Sequence, residues 1–379
     1  MTENTRERDP LVTVKDLHVE FDVRDGIVHS VDGASFNIYR GQTLGIIGES
    51  GCGKSITAKA IMNMVPKPGK MRGEITFYQK SDKGDGQIID EIRLDQTDPD
   101  GEIIRKIRGG HIAMIFQEPM SSLTPVYSAG FHLLEAIKLH RFLPVETIGG
   151  EMTRNLQKKR KVTDDEAREI AIDMLRRVGI PNAAKRVDSY PHELSGGQRQ
   201  RIMIAIALST SPDLLIADEP TTALDVSIEA QILDLMRDLQ KNANMAIMFI
   251  THNLGVIAEI ADEVVVMYMG KEVERATTVE LFKNPKHPYT TALLGSIPNI
   301  GEKKDQLETI AGMVPSPFNL PSGCVFHPRC PAFMPGKCER INPNYAEVEK
   351  DHWARCLLYD GCWPDTAEAQ AIKNQAIAD

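Results

Sequence analysis

The chain runs to 379 residues, 42% of them hydrophobic and 26% charged, with 44 Lys and Arg against 53 Asp and Glu. That length and apolar content allow two domains, one with a sizeable core. The net charge of −9 argues against a nucleic-acid-binding surface, and no apolar run approaches the ~20 residues that span a bilayer.

The first seven residues, Met1 to Glu7, are polar and of mixed charge, so no signal peptide is expected and the protein reads as cytoplasmic. After a polar tail over 1–10, alternating segments between Leu11 and Ile38 predict antiparallel strands. Leu44 to Gly48 predicts a buried strand feeding a Gly-rich loop, with a helix from Ile56 to Met64. Residues 79–110 are rich in Asp, Gly and Lys and read as an irregular insertion. Ile112 to Phe116 predicts a strand that ends at Gln117, and a second polar insertion covers about 144–162. The basic clusters Arg105-Lys106 and Lys158 to Lys161 read as solvated faces.

Thr163-Asp-Asp-Glu166 has the spacing of a capping box and opens an amphipathic helix that stops at Gly179-Ile-Pro181. Leu194-Ser-Gly-Gly-Gln198 precedes a helical stretch from Arg199 to Leu208. Leu214–Ala217 and Ala246–Ile250 are continuous apolar runs, as expected of parallel strands covered on both faces. Between them Ile228, Ile232, Met236 and Leu239 mark one helix face. This alternation predicts a doubly wound α/β core. Prolines dominate from Pro285 onward, which places a boundary near 285.

The chemistry starts at Gly48-Glu49-Ser50-Gly51-Cys52-Gly53-Lys54-Ser55. Its glycines let backbone N–H groups turn toward phosphates at a helix N-terminus. Lys54 then reaches the β- and γ-phosphates and the Ser55 hydroxyl ligates Mg²⁺. Cys52 occupies a variable position of such loops and reads as bland. Asp218 ends an apolar strand, where its carboxylate suits Mg²⁺, and Glu219 follows it directly.

With Gln117, Ser195 to Gln198, Asp218-Glu219 and His252 following the loop in that order, the chain resembles an ATP-binding-cassette (ABC) ATPase over about residues 11–285. The resemblance implies an antiparallel β subdomain and an inserted α-helical subdomain at about 112–205, on a domain spanning 1–285. It implies Glu219 as the general base, His252 as the γ-phosphate switch and Gln117 at the Mg²⁺ and water. Phe21 aligns with the adenine-stacking aromatic, although an ordinary strand aromatic reads equally well. Asn253 departs from the family, where Asp is usual.

Ser195, Gly196, Gly197 and Gln198 open a helix, a second anion site in the same chain. The family uses that signature to seal ATP held by an opposing subunit, and Asp225 lies in a segment, Ala223-Leu-Asp225, that resembles the loop crossing that interface. The stretch from Gln117 to Pro125 resembles the permease-facing segment of dipeptide and oligopeptide importers, and His287-Pro-Tyr-Thr290, with Leu320 to Pro331 further on, resembles the C-terminal extension of peptide- and nickel-importer ATPases. The resemblance therefore implies an ATPase at the cytoplasmic face of the inner membrane, energising peptide uptake. Its partners would be a second, paralogous ATPase, two permease subunits and an extracytoplasmic binding protein. Oligosaccharide or nickel cargo, or a non-transport ABC ATPase, are the competing readings.

Five of the six cysteines lie beyond residue 323. Cys324, Cys330, Cys338 and Cys356, in a loop-rich extension over 286–379, suit either tetrahedral zinc or a [4Fe–4S] cluster, or are unligated thiols. The tight pairs usual for zinc are missing, and some members of the family carry the cluster here. Cys362 reads as a spare small hydrophobe.

Overall fold

The computed structural model describes residues 9–80, 88–117, 123–144, 159–222, 224–296 and 310–359. Residues 1–8, the centres of both insertions (81–87 and 145–158), the segment 118–122, Ala223 and Cys362 lie outside the described residues. The chain divides into two compact units, one made of the residues up to Thr97 and from Met248 onward, the other of Asp98–Ile247.

The first unit opens with the expected hairpin. Strand Pro10–Val23 pairs antiparallel with Gly26–Tyr39 and, on its other edge, with Lys70–Lys80. Leu11, Leu17, Val19, Phe36, Ile38, Ile75 and Phe77 are buried, which accounts for the apolar spacing of these strands. A second sheet runs Thr43–Ile47, Glu263–Tyr268, Lys271–Thr277, His352–Ala354 and Ala346–Glu349 in spatial order. Thr43–Ile47 and Glu263–Tyr268 are parallel, and all of Thr43–Ile47 is buried, so a continuous apolar run is what this position demands. The prolyl-rich segment is thus fastened to the sheet by main-chain pairing, with Arg275 opposite Trp353.

One expectation fails here. The described part of 79–110 is largely regular: Ile88–Arg93 adds a strand to the edge of Lys70–Lys80, Leu94–Gln96 forms a 3₁₀ turn and Glu102–Ile107 a helix. The Asp95 carboxylate accepts the Ile75 N–H at 2.9 Å, and Leu94 beside it is buried. The edge needs hydrogen-bond partners, and that requirement outweighs a composition rich in turn residues.

In the second unit Ile112–Ile115 and Leu214–Asp218 form a parallel pair. Helices Ala129–His140, Asp164–Arg177 and Gly196–Ser209 pack on one another, and Leu133, Ile137, Ala171, Leu175, Ile204 and Leu208 on them are buried. Thr163 and Glu166 make the full capping box, and the helix ends before Gly179 at φ 73°. Helix Val226–Ala243 buries Ile232 and Met236 of the four expected positions, together with Leu233 and Leu235, while Ile228 and Leu239 are only half-buried. No helix among the described residues is long and apolar enough to cross a membrane.

Candidate functional site

The Gly48–Ser55 loop connects the buried strand Thr43–Ile47 to helix Lys54–Ile61. Gly48 and Gly53 are required by space as well as by backbone angle, Gly51 by backbone angle (φ 80°) alone. A Cβ at Gly48 (φ 148°) would lie 2.1 Å from the Met267 carbonyl oxygen, and one at Gly53 (φ 102°) 2.1 Å from that of Ser30. The helix therefore starts from a left-handed residue with no side-chain cap. Its first N–H groups are left for a ligand, in the arrangement that suits phosphate. Lys54 is buried, and its Nζ donates to the carbonyl oxygens of Gly48 (2.8 Å) and Glu49 (2.9 Å), which aim the ammonium along the loop. Ser50 and Gly51 are exposed at the loop tip, and Ser55 is half-buried. Cys52 lies underneath, and burial pushes its thiol pKa up even though Lys54 pulls it down.

Glu49 carries contacts that no local pattern announces. Its N–H donates to Tyr289 Oη at 2.9 Å, and its carboxylate takes both arms of Arg329, Nη1 at 2.7 Å and Nη2 at 3.0 Å. Tyr289 and Arg329 lie 240 and 280 residues further along the chain, so neither periodicity nor motif spacing could have linked them.

In the second unit the strand Leu214–Asp218 delivers Asp218, 3% exposed, at its end. Glu219 follows in the left-handed region at φ 48°, a conformation that costs a non-glycine residue energy. Gln117 Nε2 donates to Glu219 Oε2 at 3.1 Å, so these two predicted residues are brought together. Thr222 Oγ1 adds donations to the Glu219 carbonyl (3.1 Å) and Oε2 (3.3 Å), a support missed from sequence.

Ser195 is the N-cap of helix Gly196–Ser209: its Oγ accepts the Gln198 N–H at 3.3 Å, while Gln198 Oε1 accepts the Ser195 N–H at 3.1 Å. Ser195 and Gly196 are exposed, and a Cβ on Gly196 would meet nothing within 4 Å. Gln200 Nε2 donates to the Pro220 carbonyl, joining this helix to the segment just past Glu219. Asp225 is exposed at the start of helix Val226–Ala243 and makes no capping bond. His252 is exposed beyond the strand Ala246–Ile250. Asn253 Oδ1 accepts the Gly255 and Val256 N–H groups at 3.0 and 3.4 Å, so the departure from Asp preserves a helix cap. Phe21 is half-buried in the hairpin, opposite Val28 and against Gly69.

Among the described cysteines none is in a disulfide, and Cys324, Cys338 and Cys356 are buried while Cys330 is half-buried. Burial pushes all four thiols up, that of Cys330 to about 12. Cys324, Cys330 and Cys338 each raise the pKa of Cys356 further, so the four share one electrostatic neighbourhood. Cys324 N–H also bonds to the Cys338 carbonyl at 2.8 Å. No three of these thiols lie within 4.8 Å of one another, a wider spacing than one zinc ion with ~2.3 Å bonds to sulfur imposes. The one trio of potential ligands that close among the described residues is Glu280, Glu349 and His352. There Glu349 is already occupied by Lys286 Nζ at 2.5 Å and Asn284 at 3.2 Å.

The family profile described as ABC transporter matches residues 31–222, and that of the oligopeptide/dipeptide transporter C-terminal region matches 273–338. A putative peptide import ATP-binding protein of Brucella melitensis is 45% identical over 93% of this chain and 98% of its own length. The oligopeptide transport ATP-binding protein AppD of Bacillus subtilis is 45% identical over 92% of this chain and 97% of its own. The dipeptide transport ATP-binding protein DppD of Haemophilus influenzae is 41% identical, over 89% and 92%. Among solved structures, the ATP-binding cassette MJ0796 in a post-hydrolysis state with ADP and phosphate shares the fold. Its TM-score is 0.56, at 24% identity, over 71% of this chain and 99% of that one. CbiO1 of Clostridium perfringens, part of an ABC transporter complex, has a TM-score of 0.51 at 27% identity, over 72% and 91%.

Proposed function

The chain belongs to the ABC transporter family, in the branch of ATP-binding proteins with the oligopeptide/dipeptide transporter C-terminal region, and we propose that it hydrolyses ATP to energise uptake of di- and oligopeptides across the inner membrane. The observation that carries this reading is the presence of both family regions on one chain, whose relatives are named as peptide-transport ATP-binding proteins along almost their whole length.

In this reading the backbone N–H groups from Gly51 to Ser55 cradle the phosphates, and Lys54 neutralises the β- and γ-phosphate oxygens. Ser55 and Asp218, with Gln117, would hold Mg²⁺; hydroxyl, carboxylate and amide oxygens form the hard donor set this ion takes. Bound there, Mg²⁺ would supply charge neutralisation to the transferring phosphoryl group. Glu219 polarises the attacking water, with Gln117 and Thr222 fixing the carboxylate that accepts its proton. His252 senses the γ-phosphate, Phe21 stacks on adenine, and Glu49, Ser50 and Cys52 complete the loop. Ser195 through Gln198, with Asp225, serve the nucleotide held by a second, paralogous ATPase subunit.

Val126, Tyr127 and Phe131 are exposed just beyond the Gln117–Pro125 segment, with the Tyr127 and Phe131 rings stacked at 4.1 Å. An exposed apolar patch of this kind supports docking of permease subunits there. The boundary near 285 is retained as the start of the peptide-importer extension. Its four free thiols share one electrostatic neighbourhood, which supports a [4Fe–4S] cluster, a group larger than a single ion that holds its ligands further apart than zinc does. Cys324, Cys330, Cys338 and Cys356 would hold it, and it would staple a segment with little regular structure.

The test is purification of the full chain from its own membranes. Two permease chains and a second ATPase should accompany it, and a chain recovered without membrane partners would overturn the transporter assignment.

A further inference from the structure

Glu49 is held at three points. Tyr289 Oη accepts its N–H, Arg329 grips its carboxylate with two nitrogens, and its carbonyl oxygen accepts from Lys54 Nζ. The first two contacts come from the segment beyond Pro285; the third is the phosphate-binding ammonium itself. Arg329 is as constrained as a side chain can be. It is 4% exposed, its Nε donates to the Ala311 carbonyl at 3.1 Å, its Nη2 to that of Ile310 at 3.4 Å, and its Nη1 to Tyr268 Oη at 3.4 Å. Tyr268 and Tyr289 in turn pack with Phe326, three residues before Arg329, at centroid distances of 4.7–5.4 Å.

From this chain of contacts we infer that Arg329 and Tyr289 are positioning residues for ATP binding, acting through Glu49 on the Lys54 ammonium. The extension beyond 285 is thereby an integral part of the nucleotide site. A bidentate guanidinium–carboxylate pair fixes both distance and orientation, and it is stronger than a neutral hydrogen bond. Holding the Glu49 peptide fixes the carbonyl that aims Lys54, so the free loop is already shaped for the β- and γ-phosphates. Releasing it charges the cost of ordering the loop to the binding step. Arg329 also lies one residue before Cys330 and in the turn that follows Cys324, so whatever orders those cysteines orders the guanidinium. The inference rests on reading Gly48–Ser55 as the phosphate loop.

The test measures equilibrium affinity of the purified full chain for ATP and for AMP in wild type, Arg329→Met, Glu49→Gln and the double variant. Each single substitution should weaken ATP binding roughly tenfold, the usual scale for losing a hydrogen bond to a charged group. The double variant should lose no more than either single, because all three remove one interaction. AMP, which lacks the phosphates Lys54 serves, should bind all four proteins alike. Arg329→Lys keeps the charge without the fork and should fall between wild type and Arg329→Met, which covers the case in which Met does not fold. Equal losses for ATP and AMP would mean that the pair is scaffold only, and additive losses that the two residues act separately. ATP affinity within twofold of wild type would also overturn the inference. A wild-type chain that binds no ATP would instead sink the phosphate-loop reading itself.

Discussion

His287 makes the first unit acid-sensitive by a calculable amount. Its side chain is 1% exposed, its Nδ1 accepts the Tyr289 N–H at 3.0 Å, and its own N–H goes to Glu274 Oε2 at 2.9 Å. Burial holds the imidazole pKa down to about 4 from 6.5, against an opposing pull from the Glu274 carboxylate. The native state therefore keeps a neutral ring at pH values where the unfolded chain has taken a proton. The stabilisation is fully present above the unfolded pKa of about 6.5 and is lost as pH falls toward about 4. At 1.36 kcal/mol per pKa unit the whole effect is roughly 3 kcal/mol, of which about 2 kcal/mol is gone by about pH 5. Against a typical total of ~5–15 kcal/mol that is a large share. His287→Asn retains an oxygen for the Tyr289 N–H and is a favourable N-cap for helix Pro288–Gly295, but it does not titrate. Urea unfolding at about pH 7 and about pH 5 should show the Asn variant losing about 2 kcal/mol less than wild type over that interval. An identical pH slope in the two proteins would refute the reasoning.

The signature serine should separate its two roles. Ser195→Asp keeps a capping oxygen for the Gln198 N–H but sets a negative charge against the nucleotide of the opposing subunit. Affinity of the isolated subunit for ATP should therefore be unchanged while hydrolysis by the assembled pair collapses, and a large loss of affinity in the isolated subunit would place the signature in cis. For the cysteines, metal analysis of anaerobically purified protein should find about four iron per chain, a number lost with Cys330→Ser. One zinc, or four thiols that alkylate freely, would remove the cluster.

The parts legible in the sequence were those specified over short distances. The Thr163–Glu166 capping box, the buried run of Thr43–Ile47 and the Gly48–Ser55 loop are each written within a few residues. Composition misled at 79–110, where Ile88–Arg93 is a mostly exposed edge strand without an apolar face to announce it. At Asn253, where the family usually has Asp, the amide oxygen caps helix Leu254–Ile260, a role that Asn fills as readily as Asp. The grip of Arg329 and Tyr289 on Glu49 exists only because the fold returns the C-terminal segment to the loop, so residues 240 and 280 positions away meet one residue, at its N–H and its carboxylate. The Gln117 donation to the Glu219 carboxylate likewise joins residues 102 positions apart, and nothing in the Asp-Glu pair itself announces it.

The most direct test of the central claim is ATP-dependent accumulation of a labelled peptide mixture in vesicles. They would contain this chain, its partner ATPase and both permeases, with the binding protein supplied outside and Glu219→Gln as the control. Wild type should accumulate peptide only with ATP inside. Glu219→Gln should still bind ATP while hydrolysis and uptake fall together by ~10²–10⁴-fold, the worth of a positioned general base. Uptake of nickel or oligosaccharide in place of peptide, or hydrolysis by Glu219→Gln within about threefold of wild type on the same scale, would contradict the account.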